Sequence, residues 1–168
     1  MNNKGVTLIE LIISIGFISV LLMIIFNIFI FSTKVYNISH SNVEIQEQSQ
    51  MIQSFIESNL YLSSGIDSVI DKNGNKLHVN EFYEKDIKEV RFNVDGQIRS
   101  IYHIYNKKKL FIKKNLNYNG YEFGDYIENI KIKNIDNGSG AEISLKLQKD
   151  SEVINTSFLI YFRNYYSE

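Results

Sequence analysis

Few side chains in this sequence stand at spacings that chemistry would use. Cysteine is absent, which removes disulfides, thiolate metal sites and a thiol nucleophile. His40, His78 and His103 are far apart, and none has a partner at ligand spacing. They are read as surface or internally satisfied residues. Asp71-x-Asn73-x-Asn75 opens like a calcium loop, but Lys76 stands where that loop needs glycine and Phe82 where it needs glutamate. Asp136 and Glu142 flank a glycine loop and read as turn chemistry. No nucleophile elbow, zinc helix, phosphate loop or dinucleotide fingerprint occurs. The sequence therefore predicts no enzyme and no cofactor.

Two charged groupings remain. Lys107, Lys108, Lys109, Lys113 and Lys114 cluster around an aromatic strand and are the residues that would touch phosphate if the chain bound nucleic acid. The formal net charge is −1, which argues against a polyanion binder. The plainer reading is a solvated hairpin turn whose charges blunt strand edges. Tyr118, Tyr121, Phe123 and Tyr126 form an aromatic stripe suited to a core or a subunit interface. The second grouping is a single residue, Glu10, at the head of a long apolar run. A carboxylate beside lipid is costly and is usually kept for function.

These residues need elements to position them. Leu11 to Phe31 is nearly all apolar, roughly 21 residues or about 30 Å as a helix, enough to cross a bilayer. Ser14, Ser19 and Asn27 are its only polar interruptions. No small-x-small cleavage site follows the run, so it does not read as a secretory signal peptide. Lys4 favours holding the N-terminus in the cytoplasm. Beyond the run, Ile38, Ile45 and Ile52 recur by sevens, with Phe55, Ile56 and Leu60 on neighbouring turns. That pattern predicts an amphipathic continuation, and one helix from about Val6 to about Leu62, ended by Ser64-Gly65.

After Gly65 the period changes to two. Strands are expected at Asp67–Ile70, Glu89–Val94, Gln97–Tyr105, Leu110–Ile112, Ile130–Lys133, Ile143–Leu147 and Thr156–Phe162, with a tight hairpin at Asp95-Gly96. The class is α+β, a long N-terminal helix packed on a mainly antiparallel sheet. With 11 Tyr and 11 Phe among 168 residues, one small core can be filled without disulfides.

The N-terminal residues carry a resemblance. Met1-Asn2-Asn3-Lys4-Gly5 is short, polar and basic, and Val6-Thr7-Leu8-Ile9-Glu10 leads into the apolar run. The stretch KGVTLIELIISI resembles the type IV prepilin signal. It departs from that signal at Val6, where phenylalanine is commonest, and at Asn27, where many major pilins carry proline. The order of strands from Ile101 to Arg163-Asn164 also resembles minor pilins and pseudopilins of the PilW and GspJ-like type, less specifically.

The resemblance implies a leader of residues 1–5, a transmembrane and filament-core helix over 6–31, an amphipathic helix over 32–64 and a β-rich extracytoplasmic domain over 65–168. It implies a cut between Gly5 and Val6 by a prepilin peptidase, and methylation of the new amine of Val6. Thr7 and Glu10 would serve filament assembly, with Glu10 pairing the N-terminal amine of a neighbouring subunit. A charge buried among apolar helices needs such a partner and would fix register, as one polar residue fixes a coiled coil. Further implied partners are other pilin or pseudopilin subunits and, indirectly, a platform protein and an ATPase. The chain would wait in the cytoplasmic membrane with its N-terminus inside, then enter a pilus, or the pseudopilus of a type II secretion or competence system. A reading of another class is a single-pass anchored domain that binds a ligand outside the cell, such as DNA during uptake. That reading needs neither Gly5 nor Glu10.

Overall fold

The computed structural model describes residues 7–77 and 86–165. Gly5, Val6, His78 and Phe82 lie outside the described residues. The chain divides into two compact units, residues 1–40 and 41–168. One helix, α1 (Leu8–Tyr61), contributes to both.

In the first unit α1 is mostly apolar, and each described residue from Thr7 to His40 is exposed. This is the stretch long and apolar enough to cross a membrane. Three of its hydroxyls bond carbonyls of the same helix. Ser14 Oγ donates to the Glu10 carbonyl at 2.7 Å, Ser19 Oγ to Ile15 at 2.8 Å and Thr33 Oγ1 to Ile30 at 2.8 Å. Such back-bonding hides a polar group that lipid could not solvate.

In the second unit the helix turns amphipathic. Ile45, Ser49, Ile52, Ile56 and Leu60 are buried, at spacings of four, three, four and four, one stripe of a 3.6-residue period. The strands are β1 (Ile66–Asp71), β2 (Lys76–Leu77), β3 (Ile87–Val94), β4 (Gln97–Ile104), β5 (Lys109–Lys113), β6 (Tyr121–Gly124), β7 (Ile127–Ile135), β8 (Gly140–Lys149) and β9 (Glu152–Tyr161). They form two sheets, β2-β1-β3-β4-β5-β6 and β7-β8-β9, antiparallel at every pairing. The β3–β4 hairpin turns at Asp95-Gly96 with both φ positive, 53° and 78°, as a two-residue primed turn requires.

The strands bury alternate residues, such as Val90, Phe92 and Val94 of β3 and Ile143, Leu145 and Leu147 of β8. These meet the helical stripe in one core. Phe55 stacks on Phe123 with ring centroids 4.3 Å apart. Gly124 lies so close to α1 that an added Cβ would sit 2.8 Å from Ile52 Cγ1. The C-terminal end of α1 is closed by residues from the far end of the chain. Arg163 N–H donates to Tyr61 O at 2.9 Å, Asn164 N–H to Ser63 O at 3.3 Å and Asn164 Nδ2 to Leu62 O at 3.0 Å. Carbonyls that the helix leaves unpaired thus find donors about a hundred positions away. This gives the Arg163-Asn164 ending a physical purpose.

Candidate functional site

The head of α1 is the first candidate. Thr7 precedes the helix, and Glu10 is its third helical residue. Thr7 N–H donates to Glu10 Oε2 at 2.9 Å, and Thr7 Oγ1 donates to the same oxygen at 2.9 Å. Glu10 N–H in turn lies 3.3 Å from Thr7 Oγ1. This is a reciprocal capping box. A Thr-x-x-Glu motif satisfies two amides that the first turn leaves without partners, and the carboxylate also meets the positive end of the helix dipole. The motif is legible in the sequence as T-L-I-E. The pairing occupies Oε2, and no described residue donates to Oε1. Among the described residues the carboxylate is thus held in place through Oε2, with Oε1 left as a further acceptor.

The five clustered lysines separate into different environments. Lys108 forms an ion pair with Glu128. Lys109 pairs with Glu122 at 2.7 Å and lies 3.7 Å from Asp125. The Glu122 hydrogen bond, helped by the Asp125 charge, holds the Lys109 ammonium above the usual lysine range. Lys113 Nζ stands 5.1 Å from the Tyr102 ring centroid and Lys114 Nζ 5.8 Å from that of Tyr121. Lys107 is exposed in the short 3₁₀ turn Tyr105–Lys107. Two of the five charges are therefore met by carboxylates, and two rest near aromatic faces.

The aromatic stripe divides as well. Tyr118 is 71% exposed and Tyr121 45%. Phe123 joins Phe55, and Tyr126 O–H donates to Glu44 Oε1 at 2.7 Å.

The remaining titratable groups serve local structure. Asp71 Oδ1 accepts from Asn75 N–H at 2.8 Å and Oδ2 from Asn75 Nδ2 at 3.1 Å. These bonds lower the Asp71 pKa and occupy the carboxylate that a calcium loop would use. His103 is buried on β4. Its Nε2 lies 3.0 Å from Ile127 O, at the start of β7, while Nδ1 is buried without a partner. Desolvation pushes its pKa down. The neighbouring Tyr105 O–H donates to Ile87 O at 2.9 Å, and burial raises that phenol to about 12. Among the described residues no group of three or more His, Asp or Glu is placed to hold a metal ion.

A concavity of about 640 Å³ lies on the β7-β8-β9 sheet, lined by Lys131, Ile132, Lys133, Glu142, Leu145 and Lys146 among others. Ser157 Oγ donates to Glu142 at 3.0 Å and shares a 3.1 Å hydrogen bond with Ser144, so part of that lining is already paired. No family model, curated protein or solved structure matched the chain when each was compared with it.

Proposed function

We propose that the chain is a structural subunit of the type IV prepilin class, a minor pilin or pseudopilin. It inserts through the apolar half of α1, is cut between Gly5 and Val6 by a prepilin peptidase, and is assembled into a pilus or pseudopilus, at the tip or in its initiation. The observation that carries this reading is the head of the apolar helix. A leader ending in Gly5 runs directly into a Thr7–Glu10 capping box, and the helix so begun is exposed along its whole apolar half.

The capping box closes the first turn of the helix that begins at Leu8. Glycine at position 5 allows close approach to the Gly5–Val6 bond. After the cut, the amine of Val6 lies one residue before the cap. In a filament the open acceptor of Glu10 would take the amine of a neighbouring subunit. The chain is in this reading a substrate of the peptidase and not an enzyme.

Two substitutions test the reading. Gly5→Leu should leave an uncut chain of unchanged mobility in cells with an active prepilin peptidase. Glu10→Ala should be cut yet be missing from the sheared filament fraction. An anchored ligand-binding domain would tolerate both changes, and normal assembly of Glu10→Ala would remove the role given to that carboxylate.

A further inference from the structure

Within the apolar run 11–31, one described polar side chain is not satisfied by the helix. Ser14 and Ser19 bond backbone carbonyls of their own helix. Asn27 has no counterpart to these bonds. It is exposed, and its amide makes no hydrogen bond to any described residue. In water this would mean nothing. Within a bilayer the amide has two donors and a carbonyl to satisfy, and hydrocarbon supplies none of them.

Position makes escape difficult. Asn27 lies four residues, about 6 Å, inside the Phe31 end of the run. Side chains on a helix lean toward its N-terminus, so the short Asn27 side chain leans toward the bilayer centre and away from the nearer boundary. A long lysine can reach back to water from such a depth, but an asparagine cannot.

We propose that Asn27 pairs two copies of this chain inside the bilayer, through amide–amide hydrogen bonds between parallel helices. This rests on the membrane-spanning reading above. A second copy is the occupant because both copies insert with the same orientation, which puts the two Asn27 amides at equal depth without further adjustment. An amide is also its own complement, each offering N–H to the other's carbonyl. The same face admits a close neighbour. Gly16 and Val20 lie within about 20° of Asn27 around the helix, with Met23 nearby. Gly16 has no side chain, and small residues let membrane helices approach. Ile18 projects from the opposite face. The pairing belongs to the membrane pool of subunits before they enter a filament.

The natural chain has no cysteine, so one introduced thiol reports unambiguously. Full-length Val20→Cys and Ile18→Cys chains are oxidised in isolated membranes, and the disulfide-linked dimer is measured by non-reducing blot. Val20→Cys should form dimer well above Ile18→Cys. Adding Asn27→Leu should lower the Val20→Cys dimer about threefold or more, whereas Asn27→Gln, which keeps the amide, should retain most of it. Equal crosslinking from both faces, or an unchanged yield with Asn27→Leu, overturns the pairing. Alkaline washing of the same membranes separates the two possible failures. A chain released by the wash overturns the spanning reading and the pairing with it. A chain that stays in the membrane with a yield indifferent to Asn27 overturns the pairing alone.

Discussion

The two halves of α1 share one backbone geometry and differ in what surrounds them. From Leu8 to His40 every residue is exposed, although the stretch is mostly Ile, Leu and Phe. From Ser41 to Tyr61 the apolar residues are fewer, yet Ile45, Ile52, Ile56 and Leu60 are almost wholly buried. The second half is stable because its stripe fills a core that its own chain provides. The first half exposes more apolar surface than water tolerates in one patch, so its solvent must come from elsewhere, from lipid or from neighbouring helices. The two ends differ as well. The N-terminal end is closed locally by Thr7 and Glu10, and the C-terminal end by Arg163 and Asn164.

This contrast can be broken by substitutions in each half. Ile52→Ala should cost about 2–5 kcal/mol, the range for truncating a buried isoleucine. Ile24→Ala, in the exposed half, should leave the unfolding midpoint of the 41–168 unit unchanged. Denaturant unfolding in mild detergent, followed by tyrosine fluorescence, compares them. A large loss from Ile24→Ala would mean that the core extends into the first half. Gly124→Ala should cost about 1–3 kcal/mol by overpacking against Ile52. Part of that loss should return in the Ile52→Val background, since the two sites touch and their effects should not add.

His103 sharpens the comparison through pH. Burial lowers its folded pKa, so the unfolded chain binds the extra proton first as pH falls below about 6.5. Stability is full above that value and is lost as pH falls through the unfolded pKa toward the folded one. Glu128, Lys72 and Asp86 also act on the ring. His103→Gln retains a donor for Ile127 O and should flatten the slope of unfolding midpoint against pH between neutrality and pH 5. An unchanged slope would assign the dependence to another group.

The helix ends give the smallest effects. Asn164→Ala should cost the folded unit about 1 kcal/mol. Thr7→Val should fray only the first turn, worth about 1 kcal/mol locally. Hydrogen exchange would detect this at Glu10 and Leu11, while the global midpoint stays put.

Much of this architecture was legible because it is local. The stripe of Ile45, Ile52, Ile56 and Leu60 follows from period 3.6, and the Asp95-Gly96 hairpin from turn chemistry. Ile38, on the same sevenfold spacing, is 43% exposed. The strand β6 was missed: Tyr121–Gly124 is short and ends in glycine, and its place is set by Ile52 and by pairing with β5. The last strand begins at Glu152, earlier than Thr156, because β8 offers a partner along its full length. The split into two sheets and the capping of α1 by Asn164 join residues far apart in the chain, which no local pattern encodes. At the helix head, T-x-x-E was visible all along. Its role as a cap rests on Thr7 and Glu10 bonding each other both ways.

The most direct test of the central claim is the intact mass and N-terminal sequence of the full-length protein extracted from membranes of cells with an active prepilin peptidase. A chain beginning at Val6, with or without one added methyl group, is the predicted result. A chain still beginning at Met1 would contradict the account and leave an uncut, membrane-anchored domain.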